Sequence, residues 1–166
     1  AWPHANLLGR STQTPPTDLM IYQQLVQPCR PDCIVGPGTL NGGRALFLAS
    51  VSDLPGHGQV LTIDVDPNPK RPSHPRITYV EGRLQEEPTV KRVHDIVGPS
   101  PRGLLILGSR PGSNLRIEWE FEALHDLVAV GSYVVVENTI VNGHPVWPSF
   151  GPGPCGATKR ILADPP

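Results

Sequence analysis

Cys33-Ile34-Val35-Gly36-Pro37-Gly38-Thr39-Leu40-Asn41-Gly42-Gly43-Arg44 is the stretch on which the reading of this chain turns. A short apolar run enters a glycine-rich turn, and a helix-compatible segment over 42–51 follows. Buried strand, tight loop and helix, in that order, make the first half of a parallel βαβ unit. Gly38 and Gly42 let the backbone approach a ligand closely, Gly36 opens the turn, and Gly43 lets the helix pack near the strand. The spacing G-P-G-T-L-N-G-G departs from the G-x-G-x-x-G of dinucleotide folds, which disfavours a nicotinamide cofactor.

The same alternation continues outward. Apolar runs at 59–65, 77–80, 104–107 and 133–137 predict further strands. The third of these, Leu104-Leu105-Ile106-Leu107, is apolar throughout, as a parallel strand buried on both faces should be. Helices are predicted over 18–27, capped by Thr17 or Asp18 and ended by Pro28 and Pro31, over 89–97, and over 115–130. In the last, Ile117, Phe121, Leu124 and Val128 form the core stripe, Glu118, Glu122 and Asp126 face water, and Gly131 is the stop. Strands alternating with helices at short spacing predict an α/β, Rossmann-like fold with a mainly parallel central sheet and helices on both faces. No internal repeat is present, and 166 residues predict a single domain over 1–166.

Composition narrows the function classes. Hydrophobic residues at 38% and charged residues at 17% exclude a charge-rich disordered chain. A net charge of -1 gives no reason to expect a nucleic acid or an anionic membrane as partner. The 21 prolines and 17 glycines are dispersed, which reads as many tight loops, 67–75 and 151–156 among them. No apolar run approaches the roughly 20 residues needed to span a bilayer, and Ala1-Trp2-Pro3-His4 lacks a signal-peptide profile. A cytoplasmic location is therefore expected, with Cys29, Cys33 and Cys155 as small buried thiols.

In open parallel sheets ligands bind beyond the carboxyl ends of the strands, and polar signals gather there. The turn supplies Gly36, Gly38, Thr39, Gly42 and Gly43. The second strand ends in Asp64, with Asp66 beside it, and a carboxylate at that place can accept both ribose hydroxyls of a nucleoside. The fifth strand ends in Glu137. A glycine turn alone is more often only a turn, and a strand-end carboxylate is often a helix cap. In this order and spacing they favour a nucleoside-containing cofactor. Glu137 and His144, in the loop after the fifth strand, are the catalytic candidates, with a structural loop histidine as the competing reading of His144. Arg44 and Arg110 are read either as binders of an acidic substrate group or as solvated surface arginines. Trp147 and Phe150 are read as pocket walls or as packing against the sheet edge.

Several blocks resemble one family: Pro16-Thr17-Asp18-Leu19-Met20-Ile21-Tyr22-Gln23-Gln24, Gly38-Thr39-Leu40-Asn41-Gly42-Gly43, Leu61-Thr62-Ile63-Asp64-Val65-Asp66, Ser132-Tyr133-Val134-Val135-Val136-Glu137-Asn138-Thr139, and Val141-Asn142-Gly143-His144-Pro145-Val146 through Phe150-Gly151-Pro152-Gly153-Pro154. In that order, over nearly the whole chain, they resemble the cephalosporin hydroxylase/rhamnosyl O-methyltransferase family. The resemblance implies a class I methyltransferase-like fold, S-adenosylmethionine as cofactor, and a magnesium ion held by carboxylates beside a substrate hydroxyl. It places the Gly38 loop at the methionine end of the cofactor and Asp64 at its ribose.

The departures from the family pattern fall at strand ends. E-T-G-T is here Gly36-Pro37-Gly38-Thr39, G-G-S is Gly42-Gly43-Arg44, G-S-S or G-D-S is Gly82-Arg83-Leu84, L-D-S-D-H is Leu107-Gly108-Ser109-Arg110-Pro111, and V-E-D-T is Val136-Glu137-Asn138-Thr139. Glu137 and Asn138 are the remaining metal-ligand candidates. One carboxylate and one amide make a poor site for a hard cation, so magnesium is expected to bind weakly or not at all, and carboxylates returned at positions 108 and 138 are expected to rebuild the site. Two functions stay open: an O-methyltransferase acting on a small hydroxylated natural product or sugar, and a relative that has lost turnover and binds a cofactor or partner. The expected partner is a small-molecule substrate, not nucleic acid or membrane, with a homo-oligomer left open.

Overall fold

The computed structural model describes residues 5–99, 102–108, 114–149, 151 and 153–164. The chain opens with a two-stranded antiparallel hairpin, β1 (Ala5–Leu7) and β2 (Arg10–Thr12). Then follow α1 (Pro16–Cys29), β3 (Cys33–Pro37), α2 (Gly43–Asp53), β4 (Gln59–Asp64), β5 (Ile77–Glu81), α3 (Glu87–Val97), β6 (Gly103–Leu107), α4 (Asn114–Leu124), a 3-10 turn (His125–Leu127), β7 (Val134–Val136) and α5 (Pro154–Ala163). Among the described residues β3 to β7 form one sheet in the order β5-β4-β3-β6-β7, with every pairing parallel.

The period-2 pattern of the central strands divides the core. Ile34, Val60, Leu104 and Ile106 point to one face, where Leu19, Tyr22 and Val26 of α1 and Ala45, Leu48 and Ala49 of α2 cover them. Val35, Leu61, Ile63, Leu105 and Leu107 point to the other, against Val93 of α3, Ile117 and Leu124 of α4 and Ala157 of α5. Helices on both faces leave only the strand ends free for chemistry. The parallel α/β architecture agrees with the expectation from sequence.

Four local expectations need correction. Pro28 does not end α1. It sits inside the last turn on the exposed side, and the helix stops at Arg30, in the left-handed region at φ 42°. The helix expected over 115–130 ends at Leu124, because the 3-10 turn must pass tightly under β6. A Cβ at Gly103 would lie 2.0 Å from the Leu127 carbonyl oxygen, so a continued helix would collide with the sheet. The hairpin β1–β2 was not expected, since three-residue strands carry no readable alternation. Its turn rests on positive φ at Leu8 and Gly9. The stretch 151–156, read as loop, contains the start of α5; Pro154 opens it at the first-turn position that tolerates proline, and Arg160 pairs with Glu118 of α4.

Cys33 is buried, whereas Cys29 and Cys155 are only half-buried, and all three are free thiols. Among the described residues no helix is long and apolar enough to cross a membrane.

The crossing at Gly103 yields a test. Gly103→Ala is expected to destabilise by about 3 kcal/mol, as overpacking against backbone does. Gly131→Ala, at φ 90° with open space around it, should cost only about 1–2 kcal/mol for the left-handed conformation. Urea denaturation of the two variants measures the difference.

Candidate functional site

The turn after β3 is held from below. The Gly38 amide donates to the Ile63 carbonyl at 2.7 Å, and Gly38 itself stands at φ 83°, where a side chain would strain the backbone. The buried Asp64 carboxylate, at the tip of β4, accepts from the Leu40 amide at 3.0 Å and from the Asp66 amide at 3.3 Å. Arg71 closes the arrangement. Its Nη2 lies 3.6 Å from Asp64, its Nε donates to the Leu40 carbonyl at 3.0 Å, and its guanidinium lies over the Tyr79 ring. The aspartate therefore shapes the turn as well as facing the space above it.

Two cavities flank this turn and share Gly38. One, of about 310 Å³, runs from Gly38 across Asp64 and Val65 to the Gly82–Gln85 turn, and is walled by Arg116, Trp119 and Glu120 of α4. The other, of about 250 Å³, lies toward the hairpin and is lined by polar groups: Thr12, Gln13, Thr14, Thr39, Asn41, Arg44 and Asp66. Thus Gly38 and Asp64 face the first space, and Gly38, Thr39, Gly43 and Asp66 the second. Gly36 and Gly42 line neither. Gly42 packs against Pro72 and Tyr79, and a Cβ on Gly43 would come within 2.6 Å of the Ser11 carbonyl oxygen. Gly43 thus lets α2 meet the hairpin backbone, not the preceding strand as expected.

Glu137 follows β7, its amide bonded to the Leu107 carbonyl at 2.8 Å. Its carboxylate is buried, and both oxygens are taken. Tyr22 of α1 donates its hydroxyl to Oε1, and Arg44 of α2 donates Nη1 to Oε2 at 2.5 Å. The Arg44 Nη2 also donates to the Pro37 carbonyl at 3.1 Å and reaches that of Gly38 at 3.5 Å. Burial, and then the charge of Glu137, push the Tyr22 phenol above its ordinary range. Burial, the largest single influence, lowers the Arg44 guanidinium, but the charge and hydrogen bond of Glu137 with the charges of Tyr22 and Glu120 together outweigh it, and the net shift is upward. Burial and Glu137 together raise the Asp18 carboxyl.

Arg44 is therefore neither a surface arginine nor a free binder of an acidic substrate. A side chain in the first helical turn points back toward the helix N-terminus, and the missing side chain at Gly36 leaves room for it there. Sequence reading passed over Tyr22, taken only as core, and over this use of Arg44. The signal was present in the paired departure: an acid lost at 36 and a small residue replaced by arginine at 44.

Asn138, at φ 60°, donates its amide nitrogen to the Gly108 carbonyl at 2.6 Å, and the Gly108 amide donates to the buried Glu120 carboxylate at 3.3 Å. Glu120 also pairs with Arg116 at 2.8 Å. These residues do not fit a divalent cation: the oxygens of Glu137 are engaged and a guanidinium already stands beside them. Among the described residues no group of three or more histidine, cysteine or acidic side chains is placed to hold a metal. The expected rebuilding of a site through Gly108→Asp also needs correction. Gly108 stands at φ 81°, and a Cβ there would lie 2.9 Å from Ile117 Cδ1 and 3.1 Å from the Glu137 carbonyl oxygen, so the added carboxylate strains the backbone and displaces core. His144 is exposed in the loop after β7 and lines neither cavity. Trp147 is exposed there as well. Arg110, Pro111 and Phe150 lie outside the described residues.

A parallel sheet of this order, with a glycine turn and an acidic strand tip at its carboxyl edge, defines an α/β protein of the class I methyltransferase architecture. The chain belongs to the Rhamnosyl O-methyltransferase/CmcI family, whose sequence profile matches residues 1–166. It is 28% identical over 164 residues to the rhamnosyl O-methyltransferase of Mycobacterium tuberculosis, covering 95% of this chain and 66% of that protein. The corresponding protein of Mycobacterium leprae is 27% identical over 161 residues, covering 95% and 70%. An apo structure of CmcI superposes with a TM-score of 0.70 at 19% identity, over 96% of this chain and 66% of that one. CmcI carrying magnesium and S-adenosylmethionine gives 0.70 at 18% identity, over 96% and 67%. The chain thus spans about two thirds of the length of these relatives.

If Arg44 and Glu137 stabilise one another as a sealed pair, removing one partner should be far worse than removing both. Arg44→Met is expected to destabilise by about 3–5 kcal/mol, the cost of a buried charge left unpaired. Adding Glu137→Gln should recover part of that loss, and a double-mutant cycle in urea reads the coupling.

Proposed function

We propose that residues 1–166 form a single domain that binds S-adenosylmethionine and transfers its methyl group to the oxygen of a small hydroxylated compound. The observation that carries this reading is the cavity bounded by the Gly38 turn and Asp64. The groups present suit the cofactor: a glycine at the turn for close backbone approach, a carboxylate for ribose hydroxyls, and Trp119 in the cavity wall. The relatives named rhamnosyl O-methyltransferase support the same reading.

When bound, the cofactor supplies an electrophilic methyl group. Asp64 holds the ribose while bracing the turn through Leu40 and Asp66, so binding and loop shape depend on one carboxylate. The second cavity takes the acceptor. Thr12, Gln13, Asn41 and Asp66 present hydroxyl, amide and carboxylate groups that match a hydroxylated molecule and give little purchase to an apolar one. Holding both partners in an attack geometry supplies much of the rate in such a transfer. Glu137, tied to Arg44 and Tyr22, orders the wall between β7 and the turn. A general base for the acceptor's proton would contribute about 10²–10⁴ in rate; His144 is the candidate for it in the loop after β7, outside the lining of both cavities. The second reading, binding without turnover, is favoured by one observation: the carboxylate of Glu137 is already committed to two partners.

Calorimetry with S-adenosylmethionine tests the binding step. Asp64→Ala is expected to weaken affinity by about 1–3 kcal/mol, the loss of a charged hydrogen-bond acceptor. Unchanged affinity removes Asp64 from the site. Wild-type protein that binds the cofactor and yet methylates none of a panel of sugars and phenols would support the second reading.

A further inference from the structure

We propose that the Arg44 guanidinium is a built-in counter-cation for Glu137, occupying the place that a divalent metal would otherwise need. The inference concerns metal binding alone and stands apart from the methyl-donor reading.

Three observations carry it. The first is the set of atoms around the guanidinium. It sits among a Glu137 carboxylate oxygen at 2.5 Å and the Pro37 and Gly38 carbonyl oxygens at 3.1 and 3.5 Å. Carboxylate and backbone carbonyl oxygens are the donors a hard divalent cation prefers, and here the arginine has taken them. The second is enclosure. The Arg44 and Glu137 side chains are 10% and 6% exposed, and Tyr22 fills the other carboxylate oxygen. A metal entering there would meet an immovable positive charge within a few ångströms, in surroundings where water screens little.

The third observation is the room the arginine finds. A Cβ on Gly36 would lie 3.1 Å from Arg44 Nη2 and 3.8 Å from its Cζ. A side chain at 36 would press on the guanidinium, which therefore owes its present position to the space left by this glycine. Gly36 and Arg44 thus share one space, in which the missing side chain of the first makes room for the cation of the second.

The test titrates magnesium and then manganese into the donor-free protein by calorimetry, using wild type, Arg44→Lys, Arg44→Ser and Gly36→Glu/Arg44→Ser, with circular dichroism to check folding. Wild type and Arg44→Lys, which keeps the charge, are expected to show no saturable binding in the millimolar range. Arg44→Ser should gain at least about tenfold in affinity as the like charge is removed. The double variant, whose new carboxylate fills the emptied space beside Glu137, should gain more. A merely structural arginine would not produce a gain of metal binding. Micromolar binding by wild type overturns the proposal, and so does a folded Arg44→Ser or double variant that binds no better than wild type. Should neither variant fold, the wild-type titration decides.

Discussion

An arginine sealed beside a glutamate at the carboxyl edge of a parallel sheet is expensive to desolvate, and such a pair is tolerated only when each charge finds further partners. Here both do. The Glu137 carboxylate is shared between the guanidinium and the Tyr22 hydroxyl, and the Arg44 guanidinium also reaches two carbonyls of the turn after β3. The pair thereby joins α1, α2, the glycine turn and the end of β7 at one point. What lies above that point, the shared wall of the two cavities, inherits its geometry.

Asp64 plays the matching part on the other side of the turn. Through the Leu40 and Asp66 amides it fixes the backbone that follows Gly38, and Arg71 keeps its charge compensated. The turn thus lies between two ion pairs, one at the end of β4 and one beyond the end of β7. A loop with several glycines would otherwise have many conformations open to it. Pinned in this way it presents one surface.

Much of the architecture was legible along the chain, because parallel strands buried on both faces must be largely apolar, and 33–35, 104–107 and, apart from Thr62, 60–63 are. The strand-end acids were legible for a similar reason: Asp64 and Glu137 are charged residues at the ends of apolar runs, where only a site or a partner accounts for them. The N-terminal hairpin and α5 were not. Strands of three residues show no period, and the 151–156 stretch carries glycines and prolines that read as loop until Ala157 is seen packed in the core.

By itself the sequence determined the order of elements, the two-sided burial of the sheet and the place along the chain where chemistry gathers. Each of these follows from residue type and local spacing. The tertiary structure alone decided where α4 must break, since that depends on Leu127 passing over Gly103. It alone decided which space each glycine of the turn serves. It also made Arg44 an interior cation and not a surface one. Residue 137 is far from 36 and 44 in the chain, and the charge balance among them exists only once three elements converge, because electrostatic compensation depends on distance in space and on exclusion of water.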